Sequence, residues 1–505
     1  MENLHKVRKQ MTSCYAEMVH SPAPREITWH SINWRKVRKG VRRLQIRIAK
    51  AVQEGDYGRV QSLQWILTHS FYAKALAVKR VTSNQGKNTP GVDGVLWRNA
   101  KDKMQATRNL RQHGYKAQPL RRTYIPKSNG KKRPLSIPTM NDRAMQALFK
   151  LALAPVAETT ADRNSYGFRE GRSCADAIAA SFSALSKPNS ATWVLEGDIT
   201  GCFDNISKIW LMNNIPIEKR ILRQWLNAGY VENGIAYPTR KGTPQGGVIS
   251  PTLANMTLDG LEKVVHDVVP RRSRVNFIRY ADDFIITGKS RAILESKVLP
   301  AVKKFLGARG LTLSEEKTKI TYIKNGITFL GQTLRKHGRT LHITPAKEQI
   351  SALIRKVGIL IRKHTSAPMI ILIKKLNEIL RGWANYHRHV VSSVAFKRVD
   401  TYVYEQLWRM VRRRHSNKSK KWLFKKYWRV PGKKGVFSII TRYKDKPKLY
   451  HVIKTCSIGI RRHIKIRADA NPYLPEYGSY FWMRRHRKDG KLWRESIVEQ
   501  LKLAI

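Results

Sequence analysis

Residues 275–286 read VNFIRYADDFII, two apolar arms that meet at a pair of acidic residues. Apolar residues on both arms predict a β-hairpin with Asp282 and Asp283 at its bend. Burying carboxylates between hydrophobic strands is costly unless something compensates their charge. An ordinary acidic turn would explain the Asp-Asp pair alone, but this context favours a functional site at the end of a sheet.

A second acidic segment reads WVLEGDITGCFD over residues 193–204, which predicts a strand, a tight turn and then a helix. Carboxylate oxygens suit Mg²⁺, and a pair of such ions can activate an attacking hydroxyl and stabilise a leaving phosphate oxygen. Because side chains alternate along a strand, we expect Asp198 and Asp282 to be the principal ligands and Asp283 to be looser. Glu196 shares a face with Asp198 and is a weaker candidate.

The charge of the chain indicates a polyanionic partner. Its 505 residues include 97 Lys and Arg against 35 Asp and Glu, a net charge of +62. Nucleic acid fits this surplus best because released counterions drive its binding, whereas no basic amphipathic anchor points to a membrane. Residues 411–470 concentrate the charge, with 20 Lys or Arg against two acids. The aromatic rings threaded through that stretch either stack on bases or form a small core.

Composition excludes several other classes of protein. A hydrophobic content of 42% and an aromatic content of 9% exclude wholesale disorder. The longest apolar run, 367–373, is far short of the roughly 20 residues of a membrane span. No secretory leader is expected from the charged first residues. Four scattered cysteines argue against a disulfide scaffold or a cysteine-built zinc site and fit a reducing, cytosolic setting.

The pattern along the chain predicts five parts. Apolar residues at helical spacing between Trp34 and Val52 lie opposite a basic face and, with a second stripe, predict a basic helical hairpin. Short strand-like and helix-like stretches then alternate as far as residue 345. The predicted division is a flexible lead-in (1–27), a basic helical N-terminal extension (28–75), an α/β catalytic body (76–345), a helical region (346–415) and a basic region (416–505).

With these motifs the chain resembles the group II intron-encoded reverse transcriptase/maturases of the chloroplast-like bacterial class. YADD at 280–283 is similar to their YxDD box, and the Asp198 segment resembles their first catalytic strand. The resemblance covers nearly the whole chain, and its motifs follow in the family's order. The other motifs are YIPK at 124–127, RPL at 133–135, DR at 142–143, SYGFR at 165–169, GTPQGGVISP at 242–251, GLTL at 310–313, KTK at 317–319, FLG at 329–331 and RGWANYH at 381–387.

The resemblance implies a multidomain α/β fold, the right-hand polymerase. Residues 76–345 would form fingers and palm, with an antiparallel palm sheet backed by helices. Residues 346–415 would be the helical thumb (maturase X domain), and 416–505 a basic DNA-binding region. Catalytic roles would fall to the three aspartates, which with Ile199 would bind two Mg²⁺ ions. We expect Trp383 and Tyr386 of the thumb signature to pack in a core.

Four further residues are implied to bind nucleotide. Lys127 and Arg133 would clamp the incoming triphosphate, Phe203 would stack under the sugar and block a ribose 2′-hydroxyl, and Gln245 would hydrogen-bond near nucleotide or template. From the residues alone, Lys127 and Arg133 read equally well as surface charges, Phe203 as a core aromatic and Gln245 as part of a plain turn.

The implied function is that of an RNA-directed DNA polymerase and intron maturase. Such a protein binds its group II intron RNA in a ribonucleoprotein, assists splicing, and copies the intron into target DNA during retrohoming by target-primed reverse transcription, using deoxynucleoside triphosphates. It would act in the bacterial cytoplasm, associated with the nucleoid. The alternatives are a splicing factor with a decayed polymerase site, and a retron or defence reverse transcriptase. Family members often add a His-Asn-His endonuclease with two cysteine pairs, and no cysteine follows Cys456, so second-strand cleavage is not expected.

Overall fold

A computed structural model shows a chain that mixes helices with small β-sheets. The residues that it describes are 28–126, 130, 132–239, 241–243, 246–430, 435–443 and 446–486. Among them no helix is long and apolar enough to cross a membrane.

Three helices, α1 (Trp34–Gln53), α2 (Tyr57–His69) and α3 (Phe71–Thr82), begin the described chain. The apolar stripe of α1 is buried, as its spacing predicts, and Asn33 caps its first turn. The sequence predicts a hairpin of two helices, whereas the structure has a third helix, α3, which follows α2 after Ser70 alone. Alanines and valines of α3 are buried as well. The predicted boundary after residue 75 falls inside α3.

The first sheet has the order β2-β1-β4-β5. Its members are β1 (Leu120–Pro126), β2 (Lys132–Ile137), β4 (Tyr230–Glu232) and β5 (Ile235–Tyr237). Strands β1 and β2 form an antiparallel hairpin, and β4 joins β1 in parallel.

A second, wholly antiparallel sheet lies at the centre, in the order β6-β7-β3-β8. Its strands are β3 (Trp193–Gly197), β6 (Asn276–Tyr280), β7 (Asp283–Gly288) and β8 (Lys319–Tyr322). Because β3 pairs with β7, the two acidic segments lie on neighbouring strands, as predicted. The surrounding helices are α4 (Ala100–Asn109), α5 (Met140–Thr160), α6 (Cys174–Leu185), α7 (Cys202–Asn205), α8 (Lys208–Asn214), α9 (Lys219–Asn227), α10 (Ser250–Leu258), α11 (Leu261–Asp267), α12 (Arg291–Ile293), a π-helical turn (Leu294–Val298) and α13 (Leu299–Gly307).

A third sheet and a group of long helices follow. The sheet contains β9 (Ile327–Phe329), β10 (Gln332–His337) and β11 (Thr340–Pro345), and the helices are α14 (Lys347–Lys363), α15 (Met369–His387), α16 (Ser393–Arg414) and α17 (Lys420–Tyr427). A hairpin of β12 (Ser438–Tyr443) and β13 (Lys446–His451) precedes α18 (Gly478–His486). The long helices share a core with α17 and the hairpin. A separate core joins the central sheet to Phe481 of α18.

Candidate active site

The acidic turn closes the hairpin of β6 and β7. Tyr280 pairs with Asp283 across it, and Ala281 adopts a left-handed conformation with φ of 58°. This conformation costs an alanine about 1–2 kcal/mol, so its surroundings must hold it. Asp282 is half-buried, and Asp283 is the first residue of β7.

A neighbouring segment holds this turn. The backbone N–H of Tyr166 donates to the Arg279 carbonyl at 2.9 Å, and that of Arg279 donates to the Asn164 carbonyl at 2.9 Å. At Gly167 an added Cβ would collide with the backbone nitrogen of Ala281. Only glycine therefore allows the segment to lie flat against the acidic turn.

The buried cation beside the turn is already neutralised. The Arg279 guanidinium is fully buried and donates to Asp259 and, at 3.2 Å, to the Asn255 side chain. Burial raises the pKa of Asp259 to about 7, although Arg279 opposes that shift. The guanidinium also donates to the Ala281 carbonyl at 3.3 Å, so it supports the turn through its backbone.

Asp198 directly follows β3. Its carbonyl accepts from the Ser314 N–H at 2.8 Å, which holds the segment after α13 beside it. At Gly197 a Cβ would collide with the ring of Phe284, so glycine allows β3 and β7 to approach here. The Asp198 carboxylate forms an ion pair with Lys317, Nζ to Oδ2 at 2.9 Å.

The three carboxylates interact electrostatically. Burial, followed by the charge of Asp198, raises the pKa of Asp282, while Arg133 and Lys317 lower it. Burial and the charges of Asp282 and Asp198 raise the pKa of Asp283 to about 6. The hydrogen bond to Asp198 raises the pKa of Lys317. Negative charge therefore accumulates here beyond what the nearby cations balance.

The donor set fits a divalent cation in its chemistry, because carboxylate oxygens are the ligands that Mg²⁺ prefers. Among the described residues, however, no three His, Cys, Asp or Glu side chains are grouped so as to hold a metal ion. Asp198, predicted as a principal metal ligand, pairs with Lys317, and this ion pair relieves part of the repulsion among the aspartates. Ile199 is buried and bridges to Leu313.

Two of the four predicted nucleotide-binding residues can be located. Arg133 lies opposite Ile125 in the β1–β2 hairpin, close enough to Asp282 to lower the pKa of that aspartate. Phe203 is half-buried in α7, its ring centroid 6.4 Å from that of Phe168. Lys127 and Gln245 lie outside the described residues.

The GTPQGG motif begins against the Phe203 segment. The Thr243 N–H donates to the Phe203 carbonyl at 2.7 Å, and the Gly242 N–H donates to the Ile206 carbonyl at 3.0 Å. Beyond the motif's centre, the Val248 N–H donates to the Gln146 side chain at 2.8 Å. These bonds join the loop to both α7 and α5.

Sequence reasoning gave no role to three residues that shape this site, Lys317, Arg279 and Gly167. Gly167 carried a signal, since glycine beside aromatic residues suggests close backbone approach. Arg279 carried one too, as a cation within an apolar strand. The sequence contains no signal for the pairing of Lys317 with Asp198, because 119 residues separate them.

Several aromatic residues of the basic region form a small core, which is one of the two roles that the sequence leaves open. Tyr427, Trp428 and Phe437 are buried and pack against one another. Phe424 is 47% exposed. In the thumb signature, Trp383 packs against the core of the long helices, whereas Tyr386 is partly exposed and donates to the Leu330 carbonyl at 2.9 Å.

Three protein-family models match successive parts of the chain. The family model for reverse transcriptase (RNA-dependent DNA polymerase) matches residues 125–334, that for the N-terminal domain of reverse transcriptase matches 29–110, and that for the group II intron, maturase-specific domain matches 350–428.

Curated proteins are similar over half or more of their length. Protein YkfC of Escherichia coli is 32% identical over 326 residues, covering 56% of this chain and 85% of that protein. The group II intron-encoded protein LtrA of Lactococcus lactis is 29% identical over 442 residues, covering 68% and 72%. An uncharacterized 91 kDa protein in a cob intron of Schizosaccharomyces pombe is 27% identical over 417 residues, covering 65% and 50%.

Proposed function

The chain belongs to the family of group II intron-encoded reverse transcriptase/maturases, and we propose that its acidic turn is the polymerase centre. It is an RNA-directed DNA polymerase that also assists intron splicing. The observation that carries the assignment is the position of Asp198 after β3 and of Asp282 and Asp283 at the turn that begins its neighbour β7, where the charge of Asp198 helps to raise the pKa of both.

Reverse transcriptases use divalent metal ions, which lower the pKa of a primer hydroxyl and stabilise charge on phosphate oxygens. We propose two Mg²⁺ ions, with Asp198 and Asp282 as principal ligands, Asp283 as a looser one and the Ile199 backbone nearby. In the free protein Lys317 balances the charge of Asp198, and a cation held by the aspartates would take over that role. Burial is the main cause of the raised pKa of Asp283, and the charges of Asp282 and Asp198, which a metal ion would compensate, add to it.

The nucleotide would lie between this centre and the β1–β2 hairpin. Arg133 supports this placement because its charge already reaches Asp282. Lys127 would join it on the triphosphate, and Gln245 would lie near the nucleotide or template. Phe203, whose carbonyl is held by Thr243, would pack under the sugar. A ribose 2′-hydroxyl would then meet the ring.

The five predicted parts correspond to the polymerase hand in this proposal. Residues 76–345 would be fingers and palm, with the central antiparallel sheet as palm, 346–415 the thumb and 416–505 a DNA-binding region. The N-terminal extension (28–75) would contribute basic surface to intron RNA, and residues 1–27 would precede it as a lead-in. The protein would form a ribonucleoprotein in the bacterial cytoplasm, near the nucleoid, and carry out retrohoming by target-primed reverse transcription on target DNA.

Primer extension on a poly(rA)/oligo(dT) duplex with Mg²⁺ tests the assignment. The proposal predicts DNA synthesis that stops when the metal is chelated. Absence of synthesis from folded protein that still promotes intron splicing would leave only the splicing function and a decayed polymerase site.

A further inference from the structure

A second concave site lies behind the first sheet. It is a cavity of about 500 Å³ formed where β1 and β2 meet β4, β5 and the loop ending at Thr243. Pro134 and Ser136 of β2 line it, and because side chains alternate along a strand, Arg133 points to the opposite face. The cavity therefore lies on the other face of the hairpin from the Arg133 side chain, and its size suits one small ligand. Asp204, which follows Phe203 in the chain, also lines it.

One wall of the cavity is aromatic. Tyr230 and Tyr237 are cross-strand partners whose rings stack with centroids 5.3 Å apart and planes within 20°. The Arg122 guanidinium lies 3.9 Å from the centroid of Tyr230. Tyr237 is 40% exposed, so the stack can be extended by another flat ring.

Two polar atoms of residues that line the cavity have no hydrogen-bond partner among the described residues. Thr243 is only 2% exposed, yet its Oγ1 has no hydrogen-bond partner within the described ranges. The Nε of Arg122 is likewise buried and unpartnered among those residues. Lys241, at the rim, adds a second cation. Buried polar groups are usually hydrogen-bonded, so Thr243 Oγ1 and Arg122 Nε have capacity for a hydrogen bond with a ligand in the cavity.

We propose that this cavity binds one unpaired nucleotide. Its base would stack on the open face of Tyr237, its phosphate would bind Lys241 at the rim, and Thr243 would hydrogen-bond its sugar or base edge. A bare phosphate would leave the aromatic wall unused, and a neutral ring would leave Lys241 unused. The nucleotide is either turned out of a bound RNA strand or free in solution. Because the Thr243 N–H also binds the Phe203 carbonyl, an occupant contacts the loop that holds Phe203.

The test uses fluorescence of 2-aminopurine, which stacking quenches, without primer, metal or deoxynucleotide, so that it is independent of polymerase activity. The full chain is titrated with 2-aminopurine ribonucleoside monophosphate and, separately, with single-stranded RNA carrying one 2-aminopurine. We expect quenching that Tyr237→Ala weakens by about tenfold or more in apparent affinity. Quenching by the RNA alone identifies a turned-out nucleotide, and quenching by both identifies a site open to free nucleotide.

The matched control is Tyr124→Ala, which removes an exposed tyrosine of β1 that hydrogen-bonds Glu232 and does not line the cavity. The Tyr124→Ala variant should quench 2-aminopurine fluorescence with the same apparent affinity as the wild type. Lys241→Gln, at an exposed position, should weaken binding and reduce its salt dependence even if Tyr237→Ala does not fold. Unchanged titrations for Lys241→Gln, equal losses in Tyr237→Ala and Tyr124→Ala, or no quenching with either probe would overturn the proposal.

Discussion

The acidic turn and the basic C-terminal stretch both carry unbalanced charge, but of opposite sign and in different amounts. At the turn there are three aspartates, of which Asp198 forms an ion pair with Lys317. Residues 411–470 contain 20 Lys or Arg and two acidic residues. The first arrangement places charge on a few atoms at fixed positions, which suits metal ions, whereas the second spreads it over a surface, which suits a polyanion. Single substitutions should therefore be decisive at the turn and mild in the basic stretch.

Asp282→Asn should give the largest effect. A neutral amide is a poor metal ligand, so we expect DNA synthesis to fall by roughly a hundredfold or more while intron RNA binding persists. Glu196→Gln, on the same face of β3 as Asp198, should leave synthesis near the wild-type rate. Primer extension and filter binding measure the two activities. If both variants lost DNA synthesis equally, Asp282 would have no special role compared with Glu196, and its assignment as a principal metal ligand would be wrong.

Gly167→Ala should come next, because the added methyl collides with the backbone of Ala281 and displaces the acidic turn. We expect a loss of synthesis of about tenfold or more with splicing assistance retained. Gly382→Ala is the matched control, since nothing lies within 4 Å of its added Cβ and it sits inside α15. That variant should gain about 0.5–1 kcal/mol of stability. Full activity in Gly167→Ala would mean that the contact does not position the turn.

Phe203→Ala should change selectivity rather than rate. With the ring removed, incorporation of ribonucleotides relative to deoxynucleotides should rise by about tenfold or more. Competition between matched ribo- and deoxynucleoside triphosphates in primer extension gives the ratio. Phe168→Ala, which removes the ring that Phe203 meets edge-on, tests whether any change comes from the Phe203 ring itself. An unchanged ratio would return Phe203 to a packing role.

The pKa of Asp283 predicts a smaller effect on stability. In the folded chain this pKa is about 6, above the ordinary value of 3.8, so the folded state retains a proton that the unfolded state has lost. Without metal, the free energy of unfolding should therefore fall as pH rises from about 4 through 6. Asp283→Asn should flatten that part of the curve in denaturant titrations at each pH. An identical curve for the variant would contradict the raised pKa.

Single substitutions in the basic stretch should have the smallest effect. Lys426→Gln removes one cation beside the ring of Trp422, and RNA affinity should fall by only a few-fold, with the salt slope reduced by about one. Affinity of the unmodified chain should fall steeply with salt. A loss as large as that of Asp282→Asn in synthesis would show that this surface also depends on single residues.

Sequence patterns predict those elements whose conformation depends on residues close together in the chain. The apolar arms on either side of Asp282 and Asp283 predict the acidic hairpin, and the helical spacing of apolar residues predicts α1. The tertiary contacts carried no such signal, because Asp198 meets Lys317, and Arg279 meets Asp259, only after distant segments fold together. The third N-terminal helix was missed because one residue, Ser70, separates it from the second. The cavity behind the first sheet needs three segments to form its walls and was not foreseen.

Whether the aspartates bind the catalytic metal can be seen in a structure of the chain with primer, RNA template, deoxynucleotide and Mn²⁺, with the metal located by anomalous scattering. We expect Mn²⁺ bonded to oxygens of Asp198 and Asp282, with Lys317 released from Asp198. Mn²⁺ found on the phosphates alone, with the Asp198–Lys317 ion pair intact, would contradict it.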